Sequence, residues 1–157
     1  MKGQGMPAYD PRAIKGIGIP HATSSMGADH TAGHTMLMPV KDHLKEGQVE
    51  ASRQTQKFQA VIDTLGRCSF ARVVVQDQKE LLVGLLEAVH GVKIGVDELL
   101  EIGEKVLDEE RSFNLKAGIG PEKDRLPEFM YMEELPPWNV VFDFTAEDLT
   151  EPSEEGL

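Results

Sequence analysis

The chain has 157 residues, of which 40% are hydrophobic and 27% are charged, and this size and composition are typical of one globular domain. No apolar run approaches the roughly 20 residues of a membrane-spanning helix, and residues 1–7 lack the apolar core of a signal peptide. The single cysteine, Cys68, excludes an internal disulfide. We therefore expect a cytoplasmic protein with no membrane partner.

The net charge of −11 is concentrated in the second half of the chain. Residues 1–96 carry 11 basic and 9 acidic side chains, whereas residues 97–157 carry 5 basic and 18 acidic ones. Because nucleic-acid phosphates require cationic neutralisation, the acidic half argues against nucleic acid as a partner. Solvated helix faces and an acidic tail account for the excess, and a docking surface for a basic partner is the alternative.

The N-terminal segment, residues 1–45, is rich in Gly, Pro, His, Thr and Met. Glycine and proline interrupt regular structure, so this composition predicts extended, irregular backbone around one short helix. We expect that helix over residues 11–24, with Asp10 as its N-cap and Pro11 at its first helical position.

Three longer helices are predicted after this segment, over residues 46–66, 78–89 and 96–114. Apolar side chains recur in each at the spacing of one helix face, among polar and charged neighbours. Gly66 and Gly91 follow the first two apolar patterns and are typical stop signals. The positions that define the three faces are Val49, Phe58, Val61, Ile62 and Leu65, then Leu81, Leu82, Leu85, Leu86 and Val89, then Leu99, Leu100, Gly103, Val106, Leu107 and Phe113.

The C-terminal part is proline-rich and irregular after Gly118. Residues 139–144 predict a short extended segment, residues 146–149 a helical turn, and residues 150–157 a disordered acidic tail. Strand patterns are too sparse for a sheet. We therefore predict an all-α, multi-helical domain over residues 1–149, with an irregular Gly/Pro-rich N-terminal segment and a short extended C-terminal segment.

The first candidate site is the loop Gly-Ala-Asp-His-Thr-Ala-Gly-His at residues 27–34. Glycine amides and hydroxyl groups can contact an anion, and His30 can exchange protons near neutral pH. A helix would place His30 and His34 on one face, as in some zinc sites, but Gly33 argues against a regular helix. A polar loop with hydrogen-bonded histidines is the alternative.

The second candidate site is Asp-Thr-Leu-Gly-Arg-Cys at residues 63–68, at the end of a predicted helix. A carboxylate is unfavourable at a helix C-terminus, which suggests that Asp63 has another task. Gly66 permits a turn with positive φ, and Arg67 could pair with a phosphate. The alternative is a plain helix end followed by a buried, inert Cys68.

Both candidate sites lie within a longer series of blocks that resembles the tungsten-containing aldehyde ferredoxin oxidoreductases. The order and approximate spacing of these blocks match the C-terminal part of that family from about Gly5 to Leu149. The blocks are residues 7–16, 22–24, 27–30, 63–68, 81–91, 98–104, 110–114 and 126–128.

The resemblance implies a tungsten or molybdenum ion on two pterin cofactors, beside a [4Fe-4S] cluster. Members of that family oxidise aldehydes to carboxylic acids and pass electrons through the cluster to ferredoxin. It also implies that Asp63 holds a pterin within the turn formed by Gly66 and Arg67. Cys68 is then the last cluster ligand, and His30 lies near the metal to assist proton transfer or orient the substrate.

Two departures from the family pattern qualify this expectation. Arg67 stands where the family usually has leucine. The β-rich N-terminal domain, the block of three cysteines and the glutamate at the metal are not in these 157 residues, although such a cluster needs about four thiolates. We therefore expect a C-terminal domain or fragment that requires the N-terminal portion, in the same or a separate chain, and that binds no cofactor and is inactive alone. A non-catalytic helical remnant or interaction protein is the alternative.

Overall fold

The computed structural model describes residues 1–150, which form helices joined by irregular segments. The helices are α1 (Lys15–Thr23), α2 (Gln48–Thr64), α3 (Arg72–Val75), α4 (Glu80–His90), α5 (Val96–Lys116), α6 (Phe129–Met132) and α7 (Ala146–Leu149), with 3₁₀ turns at Ser69–Ala71 and Pro121–Lys123. Over residues 1–150 there is no β-strand, and β pairing is limited to one antiparallel bridge between Leu135 and Val140. The predicted all-α class is confirmed.

The three longer helices lie where the apolar periodicity places them. α2, α4 and α5 begin and end within about two residues of the predicted bounds. Gly66 and Gly91 follow α2 and α4 with φ values of 62° and 69°, the left-handed conformation in which glycine has no Cβ penalty. Both stop signals are therefore confirmed, and so is the helical turn predicted at residues 146–149, which is α7.

α1 begins at Lys15 and not at Pro11, so the predicted start was wrong. The side chain of Asp10 does not cap a helix, because its Oδ1 accepts hydrogen bonds from the backbone and side chain of Arg12. Ile14 has φ −112° and ψ 77°, outside the helical region. Residues 11–14 therefore form turns, and the helix starts only after Ile14.

Asn139 lies in a turn with φ 53°, so the predicted extended segment was wrong at this residue. Residues 140–144 form no strand beyond the bridge at Val140. Their role is to deliver aromatic side chains to the core, since Phe142 and Phe144 are buried with ring centroids 4.9 Å apart. Thr150 is the C-cap of α7. The predicted disordered tail otherwise falls on residues 151–157, which lie outside the described residues.

Two apolar clusters form the core, one on each side of α2. The first joins α1, α6, α7 and the extended C-terminal segment, and its buried members include Ile19, Leu126, Met130, Phe142 and Phe144. The second joins α2, α4 and α5 through Phe58, Val61, Ile62, Leu82 and Leu99. α2 therefore packs against both α1 and α5, and its C-terminal end is anchored by the second cluster.

α5, with 21 residues, is the longest helix in the described part of the chain. Its buried positions are Leu99 and Gly103, and the charged residues Glu98, Glu101, Lys105 and Asp108 are exposed. Across residues 1–150, no helix combines the length and apolar character needed to cross a membrane. The cytoplasmic location stays a prediction.

Candidate functional site

The turn at residues 63–68 is the C-terminal cap of α2. The amide of Arg67 donates to the carbonyl of Ile62 at 3.0 Å, and the amide of Gly66 donates to the carbonyl of Asp63 at 2.9 Å. With Gly66 in the left-handed conformation, these two bonds form a Schellman motif. The local sequence thus dictates a tight turn that reverses the chain just before Cys68.

This turn exposes a carboxylate at one end and a thiol at the other. Asp63 and Cys68 are both exposed, so the alternative of a buried, inert cysteine was wrong. Oδ1 of Asp63 accepts a hydrogen bond from Nε2 of Gln59 at 2.9 Å, and Oδ2 has no hydrogen-bond partner among residues 1–150. One carboxylate oxygen and the thiol are therefore open to groups outside this chain.

Arg67 lies on the other side of the turn. Its backbone amide is engaged in the helix cap, so only its side chain is free to contact a ligand. The side chain is exposed and lines a shallow apolar groove whose other walls are Leu65, Leu82, Leu85, Leu86, Val89 and His90. A leucine would continue the apolar lining, whereas Arg67 places a positive charge there.

α2 carries a buried polar stripe that positions the irregular N-terminal segment. Gln48, Ser52, Thr55 and Gln59 follow helical spacing and are each at most 5% exposed. Gln48 accepts a hydrogen bond from the Thr35 hydroxyl at 2.6 Å, and the Thr55 hydroxyl donates to the Gly33 carbonyl at 2.6 Å. The loop that contains the candidate histidines is therefore bound to the helix that carries Asp63.

His30 is exposed at the tip of this loop. Its ring centroid lies 6.1 Å from that of Tyr9. The preceding residue, Asp29, accepts hydrogen bonds from the backbone and hydroxyl of Thr31 at 2.8 Å. The loop is not helical at His30 and His34, and residues 1–150 contain no group of three or more His, Cys, Asp or Glu side chains arranged for a metal. The zinc interpretation therefore has no geometric support here.

Two further histidines are less exposed than His30, namely His21 in α1 and the half-buried His34 at the end of the loop itself. His21 is fully buried, and neither ring nitrogen has a hydrogen-bond partner within the described residues. Burial lowers the pKa of His21 to about 4, and the charge of His30 adds to the effect. Burial also lowers the pKa of His34, with contributions from the charges of Arg72 and His30. Both rings are thus neutral at pH 7.

Arg72 connects the histidine loop to the turn after α2. It is 4% exposed, and its Nη1 donates to Oε1 of Gln59 at 3.4 Å. Burial lowers the pKa of Arg72, and the nearby Asp63 carboxylate opposes this effect. The charge of Arg72 also lowers the pKa of His34, so this guanidinium interacts electrostatically with both the histidine loop and the Asp63 carboxylate.

Comparison with known proteins identifies the chain's relatives. The family model described as aldehyde ferredoxin oxidoreductase, domains 2 and 3, matches residues 1–148. This chain belongs to the aldehyde ferredoxin oxidoreductase family. It is 34% identical over 146 residues to the tungsten-containing aldehyde ferredoxin oxidoreductase of Pyrococcus horikoshii, a match that covers 87% of this chain and 24% of the relative.

Two further relatives with the same description agree with this assignment. The protein of Pyrococcus abyssi is 32% identical over 148 residues, covering 87% of this chain and 24% of its own length. The protein of Thermococcus kodakarensis is 30% identical over 139 residues, covering 82% of this chain and 22% of its own length. The chain thus spans about a quarter of the length of the curated relatives it matches, and corresponds to the C-terminal part of this family.

The side chains on the turn fit the cofactors implied for a complete aldehyde ferredoxin oxidoreductase. An exposed thiol is the ligand type that iron–sulfur clusters use, and an exposed carboxylate accepts hydrogen bonds from ring N–H groups. Cys68 and Asp63 supply these two groups from the two ends of one turn. The described part of the chain has a single thiol, so a cluster held there would need its remaining thiolates from elsewhere.

Three residues of this family member's site were missed in the sequence. Gln59 belongs to a row of polar residues at positions 48, 52, 55, 59 and 63, whose spacing would have revealed a second, polar face of α2. Arg72 is a lone charge within the apolar run Phe-Ala-Arg-Val-Val-Val at residues 70–75. His21, in contrast, has no local signal, because its burial depends on segments distant in the chain.

Proposed function

We propose that this chain supplies the C-terminal part of an aldehyde:ferredoxin oxidoreductase. Asp63, in the turn formed with Gly66 and Arg67, binds a pterin of the tungsten or molybdenum cofactor. Cys68 is the last ligand of the [4Fe-4S] cluster, and His30 lies beside the metal. The observation that carries this proposal is the single exposed turn on which Asp63 and Cys68 stand, in a chain of this family.

When bound, these cofactors supply the oxidation of an aldehyde to a carboxylate, with water as the source of the second oxygen and ferredoxin as the acceptor of two electrons. The chain's own residues bind the cofactors and orient the substrate. The Asp63 carboxylate accepts hydrogen bonds through its open oxygen, and the Cys68 thiolate ligates iron. His30 assists proton transfer or orients the substrate, from a loop that Thr55 and Gln48 bind to α2.

The proposal requires a partner polypeptide or a longer chain. A [4Fe-4S] cluster takes about four thiolates, and this sequence has one cysteine. The remaining ligands, and the rest of the pterin site, belong to the N-terminal portion of the enzyme. We therefore expect the purified 157-residue protein to bind no cofactor and to show no aldehyde-dependent dye reduction; measurable reduction would contradict this expectation.

The deciding experiment is metal analysis of the protein purified anaerobically from its source cells. Iron with tungsten or molybdenum, a visible cluster spectrum and a co-purifying or continuous N-terminal portion are the expected results. A chromosomal Cys68→Ser change should remove the cluster spectrum, and Asp63→Asn should lower the pterin content. A colourless, metal-free protein would overturn the proposal.

A second candidate is a non-catalytic member of the family that acts in protein interactions. The observation that favours it is Arg67, which places a charge in the otherwise largely apolar groove beside the turn. The same purification distinguishes the two functions. A metal-free protein recovered with an unrelated polypeptide would support the second candidate, whereas recovery with the metal-bearing N-terminal portion would exclude it.

A further inference from the structure

One buried amide connects the two ends of the turn that carries Asp63 and Cys68. Gln59, in the last third of α2, is 2% exposed. Its Nε2 donates to Oδ1 of Asp63 at 2.9 Å, before the turn. Its Oε1 accepts from the Ser69 hydroxyl and from Nη1 of Arg72, both at 3.4 Å, after the turn.

The chemistry of these partners determines how the Gln59 amide must point. A carboxylate can only accept, and a guanidinium can only donate. The NH₂ group of Gln59 therefore faces Asp63, and its carbonyl oxygen faces Arg72 and Ser69. A flipped amide would place two acceptors together on one side and two donors on the other, so this orientation is the one the site permits.

Arg72 places a positive charge beside the hydrogen bonds that Gln59 makes to Asp63 and Ser69, which are called the Gln59 bridge below. Its guanidinium is buried, forms no ion pair with a carboxylate within 4.0 Å among residues 1–150, and makes its one hydrogen bond there to Gln59. A buried cation strengthens the hydrogen bonds of the groups that solvate it. The Arg72 cation polarises the amide of Gln59, which favours the hydrogen bond from Nε2 to the Asp63 carboxylate.

We propose that Gln59 is a positioning residue that sets the direction of the Asp63 carboxylate and the location of the Cys68 thiol. The inference rests on the proposed function. Gln59 occupies Oδ1 of Asp63 and leaves Oδ2 for the pterin, while its contacts to Ser69 and Arg72 keep the segment after Cys68 against α2. Groups that orient the ligands of a metal site in this way typically change affinity by about 10- to 100-fold when removed.

The test uses chromosomal variants of the protein purified anaerobically with its native partners. Gln59→Leu removes every polar contact of the bridge. Gln59→Glu keeps an acceptor for Ser69 and Arg72 but cannot donate to Asp63, and it retains the volume of the side chain. Gln54→Leu is the matched control, because Gln54 is exposed on the same helix and bonds only to Glu50 at 2.9 Å.

The readouts are the electron paramagnetic resonance spectrum of the reduced cluster and the rate of iron release to a chelator. For Gln59→Leu and Gln59→Glu we expect an altered spectrum and about tenfold faster iron release, with the melting temperature of Gln59→Glu within the range of the control. A spectrum and release rate equal to those of Gln54→Leu in both variants would overturn the inference.

Cys68→Ser separates this inference from the proposed function. If Cys68→Ser loses the cluster while the Gln59 variants behave like the control, the proposed function is supported and the positioning role of Gln59 is refuted. If Cys68→Ser keeps an unaltered cluster, or if the wild-type protein holds no iron, the proposed function falls and the role of Gln59 falls with it.

Discussion

The buried ring of His21 makes folding sensitive to pH in a defined window. Its pKa in the folded protein is about 4, whereas an unperturbed histidine has a pKa near 6.5. Between these values the unfolded chain binds a proton that the folded chain does not, so the unfolding free energy falls as the pH is lowered. The largest decrease in the unfolding free energy that His21 can cause is about 3 kcal/mol, because each pKa unit corresponds to about 1.4 kcal/mol.

We therefore expect urea denaturation to show a lower unfolding free energy at pH 5 than at pH 7, and a smaller difference in His21→Leu. The slope that remains in His21→Leu reflects His34, whose pKa is lowered in the same direction. His90→Gln is the control, since His90 is exposed. The pKa values of Asp10 and Asp148 are lowered from 3.8, so these carboxylates change the unfolding free energy mainly at pH values below those compared here. An unchanged slope in His21→Leu would contradict the prediction.

Gly103 is the residue that allows α5 to approach α2 closely. A Cβ added there would overlap the carbonyl oxygen of Lys57 and lie 2.9 Å from Cγ2 of Val61. We expect Gly103→Ala to destabilise the protein by about 1–3 kcal/mol through overpacking, measured by chemical denaturation. Gly84→Ala on α4 is the control, because its Cβ meets no atom within 4 Å and should stabilise the helix by about 0.5–1 kcal/mol. Equal effects of the two changes would refute this view of the α2–α5 contact.

At the scale of the elements, α2 serves two purposes on two faces. Phe58, Val61 and Ile62 pack into the second apolar cluster. The polar stripe, on a neighbouring face, binds the N-terminal loop, where Gln48 donates to the Lys41 carbonyl at 2.8 Å and accepts from Thr35. The loop has little apolar burial of its own, so its order depends on these side-chain bonds.

Gln48→Leu should therefore loosen residues 31–45 without unfolding the helices. The fully buried Thr35 hydroxyl would lose its partner, at a cost of about 1–3 kcal/mol. We expect trypsin to cleave after Lys41 and Lys45 about 5- to 30-fold faster, measured by mass spectrometry. Gln54→Leu, on the exposed face of the same helix, should cleave like the wild type. Similar cleavage rates for Gln48→Leu and Gln54→Leu would show that the stripe does not order the loop.

At the scale of the whole molecule, a run of exposed apolar side chains comes directly after the exposed Cys68. Phe70, Val73 and Val74 follow it at helical spacing and are 89%, 59% and 70% exposed. Exposed apolar patches of this kind mark surfaces that other proteins cover. In the proposed enzyme we expect the N-terminal portion to cover this surface, and in the isolated chain we expect a second copy to do so.

We expect the purified chain to self-associate with increasing concentration through this surface. Sedimentation velocity should show a smaller shift to larger species for the double variant Phe70→Ser and Val74→Ser than for the wild type. Trp138→Ser is the control, since Trp138 is 68% exposed elsewhere in the chain. A concentration-independent monomer in the wild type, or an equal decrease in association for Trp138→Ser, would contradict the prediction.

The sequence by itself determined the three longer helices and indicated the family. The 3.6-residue periodicity of α2, α4 and α5, and the glycines that end α2 and α4, are local properties that the chain expresses wherever the apolar face is covered. The Schellman turn before Cys68 is likewise built from adjacent residues. The ordered blocks resembling aldehyde ferredoxin oxidoreductases were sufficient to indicate the family that the comparisons then showed.

Only the tertiary structure decided which polar groups are buried and which reactive ones are exposed. Arg72 and Gln59 are 13 residues apart, and His21 is buried by segments that do not adjoin it in the chain. The cost of burying a polar group depends on the partners that distant segments bring to it, which periodicity does not report. For the same reason Cys68, a residue type that usually lies inside, stands at the surface beside Asp63, because no described segment folds over it.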